Sequence, residues 1–95
     1  MFYITDGKGF QMKFANGWTA SVQWGTGNYC DHYDMRYSST ANVEAGQKGS
    51  TTAEIAAWDG NGEWHNFGND TVKGWVSPDE VVAFLSMVSN FKESK

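Results

Sequence analysis

One cysteine, one proline and one arginine are what this chain holds of three residue types that often dictate a small protein's chemistry. Cys30 alone excludes an intrachain disulfide and every CxxC zinc spacing, so a reducing compartment is the expected setting. The start, Met1 to Phe14, carries Asp6 and Lys8 beside glycines. It never sustains the apolar run of about 7 to 15 residues that a signal peptide needs, nor does the rest of the chain reach the length of a membrane span. Export and a membrane partner are therefore not expected, and the expected location is cytoplasmic.

Basic charge is also scarce. Seven basic against eleven acidic side chains leave a formal charge of −4 and a pI near 4.9, which argues against duplex nucleic acid as a partner. The deficit is uneven. Up to residue 50, Lys8, Lys13, Arg36 and Lys48 balance Asp6, Asp31, Asp34 and Glu44, whereas the remainder sets three lysines against seven acids. An anionic ligand is expected to choose the first half, where Arg36 offers a planar, permanently charged fork. What is plentiful is apolar and aromatic character, 40% and 16% of 95 residues, enough to fold as one domain over 1–95 and too little chain for two.

Periodicity gives a coarse architecture. Phe2-Tyr3-Ile4-Thr5 is a short strand, followed by the turn Asp6-Gly7-Lys8-Gly9. Phe10, Met12 and Phe14 alternate with polar neighbours, and so do Trp18, Ala20, Val22 and Trp24, as half-buried strands do. A two-residue Asn16-Gly17 loop would mix apolar with polar residues on both faces. A three-residue Ala15-Asn16-Gly17 loop pairs Phe14 with Trp18, Met12 with Ala20 and Phe10 with Val22, and predicts a type I turn closed by a bulge with Gly17 left-handed.

Further strands are expected at Thr51–Trp58, with Ala53, Ile55 and Ala57 on one face, at Trp64–Phe67, and at Val72–Val76, where Trp75 is expected to pack against a neighbouring strand. Ser77-Pro78-Asp79-Glu80 has the residues of an N-cap, a proline at the first helical position and a capping box. Val81, Phe84, Leu85, Val88 and Phe91 then trace one apolar stripe of a helix over about 78–91. The expected fold is α+β: a β-rich portion through residue 76, forming an antiparallel meander of about five or six strands, with one C-terminal helix on one face.

Between Gly25 and Ser50 no apolar period persists, and irregular stretches of that length tend to carry function or disorder. Ser38 to Ser50 reads as an exposed connector. The earlier part gathers aromatic and ionisable groups. Trp24, Tyr29, Tyr33, Arg36 and Tyr37 offer stacking surfaces and one bidentate anion contact, while Gly25, Gly27 and Asn28 let backbone N–H groups approach a phosphate. The plainer readings are a tight turn, core aromatics and a surface pair of Arg36 with Asp31 or Asp34. Trp18 is the alternative to Trp24 as the aromatic at the hairpin edge.

Cys30, His32 and His65 with Asp31 or Asp34 have the residue types of a cysteine nucleophile, but nothing in their spacing sets His65 beside Cys30. Cys-x-His is not a usual zinc spacing either. Asp59-Gly60-Asn61-Gly62-Glu63 opens like a calcium loop, yet Trp64 stands where its sixth-position glycine belongs and Asp70 where its final glutamate belongs, so a hairpin turn is the better reading. No catalytic set, metal site or cofactor is expected.

The run Phe14 to Asp31, with Asn16, Gly17, Thr19, Ser21, Gln23, Trp24, Gly25, Gly27, Asn28, Tyr29 and Cys30 in its pattern, resembles one found in short uncharacterised proteins of bacteriophages and prophages. With the Ala56-Ala57-Trp58 strand and the Ser77-Pro78 helix start, the similar portion spans about two thirds of the chain. No catalytic residues are known for that group, so none carry over. The resemblance implies a viral accessory protein in the bacterial cytoplasm, of the kind that counters host immunity. Some such proteins are sponges for cyclic-nucleotide or ADP-ribose signals, and others block an effector by contact.

Three function classes follow. The first is a non-enzymatic sponge, an oligomer holding a nucleotide-like small molecule in the Gly25–Tyr37 loop. The second is an inhibitor that binds a host defence protein through the acids Glu54, Asp59, Glu63 and Asp70, as anti-CRISPR proteins do. The third is a small hydrolase using Cys30. A homo-oligomer is expected because five tryptophans exceed what one small core readily hides, and a short monomer has little concavity.

Overall fold

The computed structural model describes residues 1–4, 9–24 and 52–93. Within them five strands form one antiparallel sheet in chain order: β1 (Phe2–Ile4), β2 (Gly9–Lys13), β3 (Thr19–Gln23), β4 (Ala53–Trp58) and β5 (Lys73–Val76). Helix α1 (Pro78–Ser89) closes the described chain. The α+β architecture with one C-terminal helix is thus as the periodicity predicts, at five strands.

Alternation decides the hairpin. Phe10 faces Val22, Met12 faces Ala20 and Lys13 faces Thr19, the register of the three-residue loop. The Phe14 N–H donates to the Trp18 carbonyl at 2.8 Å and the Gly17 N–H to the Phe14 carbonyl at 3.0 Å. Gly17 sits at φ 88°, the left-handed bulge position that a side chain would strain. Pairing continues across the sheet, Val22 with Ile55 and Ala20 with Ala57. One face therefore lines up Phe10, Val22 and Ile55 in one row and Met12, Ala20 and Ala57 in the next.

Helix α1 supplies the cover for that face. The Ser77 hydroxyl accepts the Glu80 N–H at 3.2 Å, the Glu80 carboxylate accepts the Ser77 N–H at 3.3 Å, and Pro78 occupies the first turn, so the capping box forms in full. Phe84 and Val88 are buried among Ala20, Val22, Ala53, Ile55, Ala57 and Val76, with Val81, Leu85 and Phe91 packed at the margin. The helix stops at Ser89, two residues short of the predicted end. Asn90 is its C-cap, with its N–H turned back to the Met87 carbonyl at 3.1 Å and the next N–H, of Phe91, to the Val88 carbonyl at 3.1 Å.

One local expectation is corrected, and two details go beyond the sequence. Trp64–Phe67 is not a strand: only an isolated bridge joins Trp58 to Trp64, and Asn66 and Asp70 instead use their side chains to tie the following turns. Gly9 begins β2, while Asp6, Gly7 and Lys8 of the expected turn lie outside the described residues. It adopts φ 146°, where a Cβ would run into the Val22 carbonyl. Between Ala53↔Val76 and Ile55↔Lys73 the register shifts, β5 carrying an extra residue. Trp75 falls there at φ 51° and is 54% exposed, so its ring is not part of the core.

Candidate functional site

Of the predicted ligand-binding set, Trp24 lies within the described residues. Gly25, Gly27, Asn28, Tyr29, Tyr33, Arg36 and Tyr37 lie outside them, as do Cys30, Asp31, His32 and Asp34 and the Ser38–Ser50 stretch. Trp24 directly follows β3 and has the parity of Ala20 and Val22, so it falls on the helix-covered face. It is half-buried and packs against the core cluster. The strand that leads into the aromatic segment is thus anchored at its last described residue.

Trp18 is placed elsewhere. Its ring meets Phe91 edge-on at 4.8 Å and its indole N–H donates to the Lys92 carbonyl at 3.1 Å. Beside it Asn16, legible in the sequence only as a turn residue, donates through Nδ2 to the carbonyls of Val88 at 2.9 Å and Phe91 at 3.2 Å. Its Oδ1 accepts the Trp18 N–H at 3.0 Å. The hairpin tip thereby adds a donor to the last-turn carbonyl of Val88, which also accepts the Phe91 N–H, and supplies one to the Phe91 carbonyl just beyond the helix. Asn16 and Trp18 join the hairpin to the end of the helix and the residues after it, and Trp18 stands at the opposite end of β3 from Trp24.

The sheet face away from α1 differs in character. Thr19 and Ser21 are buried there with Ala56, the Gln23 side-chain amide donates to the Ser21 hydroxyl at 3.0 Å, and Gln11 faces Ser21. Trp58, opposite Thr19 and so at the far end of β3 from Trp24, stacks on Trp64 with ring centroids 4.8 Å apart. This polar face was visible in the alternation of Thr19, Ser21 and Gln23, whereas the tryptophan pair follows from the bridge between residues 58 and 64.

Two acids of the second half, Asp59 and Asp70, have local duties. Asp59 Oδ1 accepts the N–H groups of Asn61 at 2.8 Å and Glu63 at 2.9 Å, and Asp70 Oδ1 accepts that of Thr71 at 2.7 Å. The 59–63 segment is a turn held by its own first carboxylate, as its composition predicts. Among the described residues no three His, Cys, Asp or Glu side chains gather as metal ligands. His65 packs its ring edge-on to Phe67 at 4.8 Å and against Phe91 at 5.3 Å.

Sequence reasoning missed one concavity. A cleft of about 410 Å³ opens between α1, β5 and the 64–70 connection, floored by Ile55, Phe67, Val76 and Phe84. Lys73, Glu80 and His65 stand around it. Lys73 Nζ lies 3.9 Å from Glu80 Oε2 with both side chains half exposed, a pair worth little to stability. The N–H and hydroxyl of Ser77, aided by nearby Lys73, hold the Glu80 carboxyl below the ordinary glutamate range. These residues are 15 positions apart in sequence at most, but only packing the helix on β5 makes them neighbours.

Compared with protein-family models, with curated proteins and with solved structures, the chain shows no match to any of the three. Among the described residues no helix is long and apolar enough to cross a membrane.

Proposed function

We propose that the protein is a non-enzymatic binder that sequesters a nucleotide-derived signal, acting as a phage-type accessory protein against bacterial immunity in the host cytoplasm. The observation that carries the binding role is the grouping of Tyr29, Tyr33, Arg36 and Tyr37, behind the Gly25-Thr26-Gly27-Asn28 turn, in the half of the chain without net negative charge. Stacking on tyrosine faces combined with one guanidinium fork suits a flat anionic ligand, and glycine N–H groups suit its phosphate. Support from the fold is the anchoring of Trp24: a binding segment that leaves a packed strand starts from a fixed point, the usual arrangement for functional loops. The accessory role rests on the resemblance of Phe14–Asp31.

This reading takes the protein to be a homo-oligomer, with the loop shared between copies, and light scattering measures that directly. The decisive test incubates the purified protein with cyclic di- and trinucleotides and ADP-ribose derivatives, follows melting, and identifies by mass spectrometry what heat releases. A ligand at 100 times its dissociation constant should add about 2.7 kcal/mol. Arg36→Ala should lose that gain while circular dichroism stays unchanged. Recovery of a cleaved product would make the protein an enzyme, and no stabilisation by any compound would overturn the sponge and favour a protein partner.

A further inference from the structure

We propose that β1 is a self-association edge: two copies of this chain join antiparallel through Phe2–Ile4, so that one continuous sheet runs through both. The geometry of β1 carries this by itself, without the Gly25–Tyr37 segment and without the nucleotide reading.

The hydrogen bonds of β1 alternate in direction. The Lys13 N–H donates to the Met1 carbonyl at 2.9 Å and the Met1 amine to the Lys13 carbonyl at 3.3 Å, so these two residues form a hydrogen-bonded pair. In an antiparallel ladder such pairs alternate with non-bonded ones, which makes Tyr3 with Gln11 the next bonded pair. The N–H and C=O groups of Phe2 and Ile4 therefore point away from β2. Among the described residues β1 is the edge of the sheet, and no strand pairs on that side.

Those outward groups fit a second copy in one register. A twofold axis at Tyr3 sets Phe2 of one copy opposite Ile4 of the other, and each such pair exchanges two hydrogen bonds. An axis at Phe2 or at Ile4 leaves half of the outward groups unpaired, and a one-residue shift sets outward groups against inward ones. The side chains agree. Phe2 lies opposite Met12 and Ile4 opposite Phe10, so in this register Phe2 meets Ile4 of the second copy on the same apolar face.

Area and charge favour a second copy as the occupant. Met1, Phe2, Tyr3 and Ile4 are 74%, 73%, 44% and 87% exposed. With aromatic side chains at about 150–250 Å² each, they form a patch of about 500 Å² per copy, the upper end of what a monomer leaves bare. Covering it in both copies removes on the order of 1,000 Å², enough for a weak specific dimer. No charged side chain stands between Met1 and Ile4 to hold a like edge away, whereas β5, the opposite edge, carries Lys73 and an irregular register. Each copy has a net charge of −4, so added salt strengthens this contact, while it would weaken the docking of a basic partner.

The dissociation constant is expected on the order of 100 µM, as for small interfaces, which leaves the chain monomeric in dilute melts. Sedimentation equilibrium of the full chain on both sides of that concentration should show a monomer–dimer balance that sodium chloride shifts towards dimer. The Phe2 and Ile4 amides should gain protection from hydrogen exchange as concentration rises, and Tyr3, already bonded to Gln11, should not. Ile4→Lys should weaken the dimer at least about tenfold. In a Cys30→Ser background, Tyr3→Cys should cross-link two copies under mild oxidation, because Cα atoms in a non-hydrogen-bonded pair stand about 4.5 Å apart. Phe2→Cys should not, since its two copies lie two residues out of step, beyond the reach of about 7 Å. A monomer throughout, a dimer weakened by salt or unchanged by Ile4→Lys, or equal cross-linking by Tyr3→Cys and Phe2→Cys would each overturn the proposal. So would protection of Phe2 and Ile4 independent of concentration, which would put a segment of the same chain on the edge. None of these outcomes depends on whether Arg36→Ala alters nucleotide binding.

Discussion

The hairpin tip and the first strand are both short and both rich in large side chains, yet the fold treats them oppositely. At the tip, Asn16 and Trp18 reach across the molecule to the carbonyls of Val88, Phe91 and Lys92. In β1, Phe2 and Ile4 pair through the backbone with Met12 and Phe10 but remain 73% and 87% exposed, outside the area that α1 covers. The difference teaches that side-chain character does not decide burial here; position relative to α1 does. A sheet of five strands is wider than one helix can roof, so an edge strand stays bare whatever it carries.

The contrast breaks most severely at the helix itself. Phe84→Ala removes the largest side chain shared by helix and sheet and should cost about 3–5 kcal/mol, read as a lower urea midpoint. Asn16→Ala comes next, at about 2 kcal/mol, because the Phe91 carbonyl loses its side-chain donor, the Val88 carbonyl loses one of two, and the Trp18 N–H loses its acceptor. Asn16→Asp should be no milder: it keeps the acceptor for Trp18 but sets a carboxylate against the negative end of the helix. Gly9→Ala should cost on the order of 2 kcal/mol, since the backbone must leave φ 146° or the Val22 carbonyl must move. Thermal melts rank the three variants.

At the bare edge the expected effects are small. Phe2→Ser and Ile4→Ser should each stay within about 0.5 kcal/mol, and a loss comparable to that of Asn16→Ala would show that β1 is covered in solution. The smallest effect is electrostatic. Because Glu80 is held below its ordinary range in the folded chain, the unfolded chain takes up the proton first as pH falls from about 4.3. Its contribution is complete above that pH and fades as pH drops through the folded value. The stability profile of Glu80→Gln should therefore be flatter below about pH 4.3 than that of the parent chain.

Legibility followed the range of the interactions. The hairpin register could be read because shifting by one residue would expose Phe10, Val22 and Met12 together, and the helix start because Ser77, Pro78 and Glu80 are near neighbours. Trp64–Phe67 misled because its aromatic residues look like a strand, while the side chains of Asn66 and Asp70 compete for the backbone locally. The bulge that puts Trp75 at positive φ left no mark in composition, and nothing among the described residues explains why a tryptophan occupies it. Of the predicted nucleotide-binding set, Trp24 alone is described, and its parity with Val22 already placed it on the apolar face.

By itself the sequence determined the α+β class, the strand faces, the three-residue turn and the capped helix, since each depends on residues within a few positions of one another. Tertiary structure alone decided that Asn16 would reach a helix-end carbonyl 72 residues away, that Trp18 would meet Phe91 and Lys92, and that Lys73, Glu80 and His65 would ring one cleft. The physical reason is that a donor and a carbonyl carry no trace in sequence of which partner will be brought within 3 Å. Only packing the helical stripe of Phe84 and Val88 onto the sheet fixes that choice.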